Sequence, residues 1–116
     1  MTDSDCLFCK IVAGEINADV VFESDHAIAF RDINPQAPTH VLIIPKRHIS
    51  TINDLAETDA DVVGQLYLAA RDIAAQEGIA DGGYRTVINC NADAGQTVFH
   101  IHLHLLGRRI LSWPPG

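Results

Sequence analysis

Positive charge is scarce in this sequence: 8 Lys and Arg stand against 15 Asp and Glu, leaving a net charge of −7 at pH 7. A nucleic-acid coat needs a basic field to displace condensed counterions, so that class is excluded. Any phosphate bound here must be captured locally, by a few donors in a cleft. Long apolar runs are missing too: stretches without a polar group, such as Val41 to Ile44, reach only four residues, against the ~20 that span a bilayer. The N-terminus reads Met1-Thr2-Asp3-Ser4-Asp5, acidic where a secretory signal is basic and then apolar, and the expectation is a soluble, cytoplasmic protein. Cysteine is sparse and odd in number, three in all, which does not suit a disulfide framework. Two of them, Cys6 and Cys9, form a C-x-x-C pair that keeps metal and redox chemistry open. No repeat, low-complexity tract or interdomain linker interrupts the chain.

Hydrophobic residues, in contrast, make up 47% of the sequence and charged ones only 20%, which excludes a disordered chain. At 116 residues it reads as one domain, here residues 4–116, able to bury roughly two-thirds of its unfolded surface. Ser4-Asp5 opens a short helical pattern over residues 6–13 that Gly14 stops. Residues 20–24 and 26–31 read as a hairpin about Ser24-Asp25, and Asn34-Pro35-Gln36-Ala37-Pro38 as loop. Residues 40–44 read as a strand buried on both faces and stopped by Pro45. The period then changes: Val62, Leu66, Ala69, Ala70 and Ile73 predict one long helix over 58–77, capped by Thr58 with Asp61 and ended by Gly78. Strands follow at 84–90 and 99–106, around a turn-rich loop at 91–96. The fold class is α+β, a mostly antiparallel sheet with one long helix and a short N-terminal one.

Half of the six histidines fall within five residues, His100-Ile101-His102-Leu103-His104. On a strand, alternate side chains face opposite ways, so the histidines would line one face at spacings of roughly 6.5–7 Å while Ile101, Leu103 and Leu105 enter the core. Such a row is a solvated polar face, a catalytic metal site, or a nucleophilic imidazole whose neighbours handle phosphate oxygens. Gly95-Gln96-Thr97, just upstream, offers N–H groups and a hydroxyl suited to an anion.

His100 to Leu106 spells His-φ-His-φ-His-φ-φ, with φ apolar, and in this it resembles the histidine triad (HIT) superfamily. Asp32-Ile33-Asn34-Pro35-Gln36-Ala37-Pro38-Thr39-His40 and Ile44-Pro45-Lys46-Arg47-His48-Ile49 also resemble that family. Ser112-Trp113-Pro114-Pro115-Gly116 is similar to its Hint branch, the histidine triad nucleotide-binding proteins. The resemblance covers Cys6 to Gly116. It implies the HIT fold, with a five-stranded sheet, and cleavage of the P–N bond between AMP and an amine. By position, His102 would be the nucleophile, passing through a nucleotidyl-histidine. His104 and Gln96 or Thr97 would meet the phosphate oxygens, with Thr97 near the leaving nitrogen and Gly95 in the same loop. His40 would support the row, Asp32 would accept from the ribose hydroxyls, Ile33 would lie on the base, and Asn89 near the phosphate or ribose. Purine nucleotides would be the substrates and a homodimer the assembly, with the tail of residues 108–116 reaching the partner's site. No organic cofactor, nucleic acid or membrane is implied.

Two positions depart from the best-known animal members: Thr97 stands where serine is usual, and Gly107-Arg108-Arg109 replaces Gly-Gly-Arg, leaving the chain less free to take positive φ. The cysteine pair resembles the bacterial, zinc-binding branch, which implies a structural zinc on Cys6, Cys9, His48 and His100, dividing the histidine row between structure and catalysis. An unmetallated thiol pair and redox work are the alternatives. Cys90 reads as a small buried side chain, His26 carries no assigned role, Trp113 packs, and Arg108-Arg109 is a solvated pair or a phosphate-side contact. Two rivals remain: a metal-dependent hydrolase whose HxHxH row holds the metal, and a non-catalytic nucleotide-binding or scaffold protein.

Overall fold

The computed structural model describes residues 5–116, and at its centre lies β3 (Thr39–Pro45), buried at all 7 positions. A strand is buried end to end only when both faces of its sheet are covered. The sheet runs β1 (Val20–Glu23), β2 (Ala27–Arg31), β3, β5 (Leu103–Gly107), β4 (Tyr84–Val87), every neighbouring pair antiparallel. On one face α2 (Ala60–Gln76) lays Leu66, Ala69, Ala70, Ile73 and Ala74 against Ala27, Ala29, Val41, Ile43, Leu103 and Leu105. Alanines facing alanines let helix and sheet approach closely. On the other face α1 (Leu7–Val12) packs Phe8, Cys9 and Ile11 against Ile28, Phe30, Leu42 and Ile44. The period of two thus sends His40 of β3 and His104 of β5 to the α1 side. Ser4, expected to open the first helix, lies outside the described residues.

Both helices stop in the same way. Gly14 and Gly78 take φ of 78° and 74°, and the next residues reach back, Glu15 N–H to Lys10 O at 2.9 Å and Ile79 N–H to Ala74 O at 3.0 Å. This left-handed cap satisfies carbonyls that the helix leaves open.

Several boundaries differ from the sequence reading, and Pro45, expected to stop the central strand, is its last paired residue, opposite Ala27. The first helix is capped by Cys6, whose Sγ accepts the Cys9 N–H. The long helix starts at Ala60, because Asp59 Oδ2 takes the Ala56 N–H at 2.8 Å and winds residues 57–59 into a 3-10 turn, so Thr58 caps nothing. The last strand begins at Leu103, not Phe99: the Ile101 N–H goes to Ile49 O at 2.8 Å, off the ladder. For the same reason β4 ends at Val87, which pairs with His104; beyond it β5 soon offers no partner.

Arg31 of β2 grips Glu77 after α2 with two hydrogen bonds of 2.9 and 3.0 Å. These hold the Glu77 carboxyl below its ordinary range. A carboxylate so depressed stabilises the fold above the unfolded pKa, and the contribution is lost as pH falls through the folded one. Arg31 is partly exposed, so the effect is under about 1 kcal/mol. Glu77→Gln should therefore be less stable than wild type at pH 7, with the gap closing below about pH 4, read by urea unfolding across pH. At the helix end, Gly78→Ala should cost about 1–2 kcal/mol because its φ is left-handed. Gly82, without a positive φ and with open space around it, is the matched control, and Gly82→Ala should unfold within about 0.5 kcal/mol of wild type.

Candidate active site

The histidine row splits where β5 begins. His100 turns towards α1, whose N-terminal turn places both thiols on one side: Cys6 Sγ caps the helix and Cys9 lies three residues on. His100 Nδ1 stands 3.4 Å from Cys6 Sγ and 3.5 Å from Cys9 Sγ. His48 Nδ1, from the chain after β3, is 3.2 Å from Cys9 Sγ and 3.3 Å from His100 Nδ1. A tetrahedral ion with zinc-like bond lengths would separate its nitrogens by about 3.3 Å and nitrogen from sulfur by about 3.6 Å. The four donors fit, and they form a group positioned to hold a metal ion. The imidazoles are turned correctly for it. His100 Nε2 donates to Pro45 O at 2.8 Å, which leaves its Nδ1 lone pair facing the thiols, and His48 Nε2 is 3.2 Å from Ser50 Oγ. Such outer partners fix the tautomer of a ligating histidine. Burial pushes the Cys6 thiol up, so an arriving ion must displace its proton.

His102 and His104 face elsewhere, their ring centroids 5.0 Å apart. The hydrogen-bond network assigns their protons. Gln36 N–H donates to His40 Nδ1 at 3.0 Å, so neutral His40 carries its proton on Nε2. That proton goes to His104 Nδ1 at 2.9 Å, with Asp32 Oδ2 a second acceptor at 3.4 Å. His104 then carries its own proton on Nε2, a buried atom without a hydrogen-bond partner. His102 donates Nδ1–H to the His100 carbonyl at 2.8 Å, which leaves its Nε2 as a bare lone pair. Burial keeps the row neutral: it lowers His40 and His102, and with the fields of His102 and His40 it brings His104 down to about 4. Phe8 braces the arrangement edge-on, 5.1 Å from the His102 ring and 5.9 Å from that of His100.

A cleft of about 420 Å³ opens beside this pair, walled by Ile11, Ile16, Phe30 and Leu42 and edged by Asp32, Ile33 and Thr97. Ile33 is fully exposed at its rim. Asp32 Oδ1 accepts the Asn34 N–H at 2.8 Å, shaping the turn that carries Ile33. Asn89 stands on the other side of His104. Gly95, with a φ of 82°, and Gln96 do not line the cleft. The buried Gln96 amide is committed to the chain, accepting from Asn91 N and donating to Ser50 O and Val98 O. The row does not converge on one metal: His100 joins the thiols, while His104 groups with His40 and Asp32. Trp113 does not pack into the core; it is 80% exposed, with Arg85 over its ring. Arg108 takes a positive φ of 68° despite its side chain, and donates to Thr39 Oγ1 and Glu77 O. Sequence reasoning missed Phe8 and the Pro45 carbonyl. Phe8 lay within the apolar face of the first helix, but nothing local says what that face meets.

The pattern of the HIT domain family matches residues 13–111. The chain belongs to the HIT family. The match begins after Cys6 and Cys9, so the thiol half of the cluster lies outside the shared domain. This HIT chain is 50% identical over 106 residues to the purine nucleoside phosphoramidase of Escherichia coli K12, spanning 91% of this chain and 89% of that protein. It is 51% identical over 112 residues to an uncharacterized HIT-like protein of Synechococcus elongatus, spanning 97% of each. Among solved structures, a HIT family hydrolase from Legionella pneumophila superposes with a TM-score of 0.95 at 56% identity, covering 97% of this chain and 100% of the other.

The cluster geometry makes its own prediction. Cobalt(II), a tetrahedral probe with visible bands, should titrate to about one ion per chain with thiolate charge transfer. Cys9→Ser should remove that charge transfer and weaken binding by more than about tenfold; unchanged spectra would mean the ion sits elsewhere.

Proposed function

We propose that this HIT protein is a purine nucleoside phosphoramidase that hydrolyses the P–N bond of AMP–amine conjugates through a covalent nucleotidyl-histidine on His102. The observation that carries the reading is a contrast in polarity between neighbours: a bare Nε2 lone pair on His102 beside an unpartnered, buried Nε2–H on His104. A buried donor without an acceptor is rare unless a ligand supplies one, and a phosphate oxygen fits it. The E. coli relative supports the substrate class.

In the first step His102 Nε2 attacks phosphorus, the P–N bond to the amine breaks, and the leaving nitrogen takes a proton from solvent relayed through the Thr97 hydroxyl. Neutral imidazole is nucleophilic without a base, and burial keeps it neutral. In the second step water attacks phosphorus and gives up a proton to solvent, the P–Nε2 bond breaks, and AMP and neutral His102 are restored. His104 Nε2–H holds a phosphate oxygen, His40 fixes the His104 tautomer, and the Thr97 hydroxyl serves the leaving nitrogen. Asp32 accepts from the ribose hydroxyls with the lone pairs that Asn34 and His40 leave open, Ile33 lies on the base, and Asn89 lies near the phosphate. Gln96 and Gly95 act by shaping the loop that presents Thr97. Aminoacyl adenylates fit the same attack, with a carboxylate leaving in place of the amine.

The four-donor cluster takes zinc in this reading, a structural ion that ties α1 to the segment before β5. No helix among the described residues is long and apolar enough to cross a membrane. In this reading the enzyme is cytoplasmic and acts on free nucleotides rather than nucleic acid. A homodimer accords with the exposed Tyr67 and Leu68 on α2 and Tyr84 on the sheet-edge strand β4. One observation favours a second reading: Asp32, His40 and His104 could themselves hold a metal ion. A metal-dependent hydrolase of that kind loses turnover at once on chelation with its fold intact, whereas the phosphoramidase loses it only as the fold loosens.

Two substitutions test the proposal. His102→Ala should lower turnover of an adenosine phosphoramidate by about 10⁴-fold or more while still binding AMP. A denaturing alkaline quench of wild type, which spares the acid-labile P–N bond, should trap an adenylylated protein; a wild type that never labels refutes the nucleophile. Separately, ribose conjugates should exceed their 2′,3′-dideoxy analogues in kcat/KM by about ten- to hundredfold, from charge-assisted bonds of roughly 1.5–3 kcal/mol. Asp32→Ala should erase most of that ratio, and equal losses on both substrates would reduce Asp32 to a loop-shaping role.

A further inference from the structure

Only 6 residues form α1, and isolated helices shorter than ~12–15 residues are marginal in water. What holds α1 must come from its neighbours, and it has two sets of them. Cys6, its cap, and Cys9 turn to His48 and His100. Leu7, Phe8 and Ile11 instead line the large cleft, together with His102 and His104. Phe8 stands at the boundary. Its ring is edge-on to that of His100, a donor of the cluster, at 5.9 Å, and to that of His102, which borders the cleft, at 5.1 Å. Phe30, another wall of the cleft, is 5.5 Å away. A side chain buried at native packing density passes a displacement on to what it touches.

The two sets differ in kind. Apolar packing of Phe8 and Ile11 is non-directional. The thiols form only weak hydrogen bonds, but as thiolates on an ion they fix the start of α1 with the length and angle of coordination bonds. The ion also has a way in. A hollow of about 250 Å³ between Leu7, Thr97 and Phe99 opens onto Cys6. The core between α2 and the sheet contains no residue of α1, so the cluster can gain or lose an ion while that core stays packed.

We infer that cluster and cleft are coupled sites. An ion on Cys6, Cys9, His48 and His100 tightens the cleft around a purine nucleoside, and a nucleoside in the cleft tightens the hold of the cluster on its ion, with Phe8 as the link. This coupling rests on the reading of the cleft as a purine nucleotide site. Each ligand must order the α1 wall, and whichever binds first has already met that entropic cost for the second. Linkage makes the effect reciprocal: the factor by which the ion raises nucleoside affinity is the factor by which the nucleoside raises ion affinity. Such a protein keeps its ion best while nucleotide is present, and metal scarcity lowers its affinity for nucleotide.

Cobalt(II) and adenosine are the probes, since adenosine lacks the phosphate that would itself bind the metal. Calorimetry gives adenosine affinity for the cobalt-loaded and the ion-free chain. Cobalt is titrated against a competing chelator with and without saturating adenosine, read by thiolate charge transfer. Both factors should be about tenfold, and equal. Hydrogen exchange should show residues 7–18 less protected in the ion-free chain and partly restored by adenosine, while β3 and α2 keep their protection. Phe8→Leu should retain the charge-transfer band and bring the factor towards one, and Cys9→Ser should make adenosine affinity indifferent to cobalt. The wild-type titrations decide the point even where a variant fails to fold. Equal adenosine affinity with and without cobalt overturns the coupling and leaves the nucleotide reading standing; adenosine that binds neither form removes both. Cobalt that still raises adenosine affinity in Cys9→Ser acts at another site, and the route through α1 is refuted. Protection lost throughout β3 and α2 would mean that the ion holds the whole fold, which overturns the local link as well.

Discussion

The structure turns on one buried residue, His100. Three of its polar atoms go to three different neighbours. Its Nδ1 faces the two thiols and His48, its Nε2 donates to the Pro45 carbonyl at the end of β3, and its own carbonyl accepts the His102 Nδ1–H. The first links α1 to the sheet through the four-donor cluster. The second ties the cluster to the central strand. The third sets which nitrogen of His102 is bare. A fully buried imidazole left without any of these partners would carry a desolvation cost that packing does not repay. Satisfying all three fixes the segment 100–102 in one conformation, and with it the direction of the bare His102 Nε2.

A second chain of constraints approaches the same place from the other side. It starts at a backbone N–H, that of Gln36 in the loop before β3, and passes through His40 to His104. Each bond decides the tautomer of the next ring, so two adjacent imidazoles end with opposite polarity, His102 as acceptor and His104 as donor. Neither needs a charge for this. Burial keeps both neutral, consistent with a chain whose acidic surface would otherwise attract protons to them. The fold supplies orientation and a dry environment, which is what the proposed attack at phosphorus requires of a protein.

Much of this was legible in the sequence, for reasons that can be traced. Alternation of Ile101, Leu103 and Leu105 with histidine declared a core face and a site face, and all three apolar residues are buried. Gly14 and Gly78 announced the helix ends because only glycine takes left-handed φ there without cost. The hairpin and the buried strand were equally local. What local pattern could not supply was convergence. Cys9 and His48 are far apart in the chain, and their meeting depends on α1 packing against β3 and β2, a tertiary fact. Thr58 looked like a cap because Asp61 lies three residues on, while the use of Asp59 in closing the turn at Ala56 had no sequence signal. Gln96 sat in a motif suited to an anion, yet its amide proved to be the pin of its own loop. Arg85 had no motif at all; its position follows only from the register of β4 on β5.

The departure of residues 99–102 from the ladder is where these levels meet. Had the strand continued back to Phe99, the three imidazoles would stand in line at roughly 6.5–7 Å, all facing one way. The thiols and His48 would then have to approach from the face that borders the cleft, and the four-donor cluster and the cleft would share the same side chains. Instead the Ile101 N–H is taken by Ile49, next to His48, and Ile101 itself is driven into the α2 core. That single crossing lets His100 face α1 while the His102 ring closes to 5.0 Å from His104. A repeating sequence thus becomes a non-repeating site. The break is enforced by core packing on one side of the sheet, so that the chemistry on the other side can be divided.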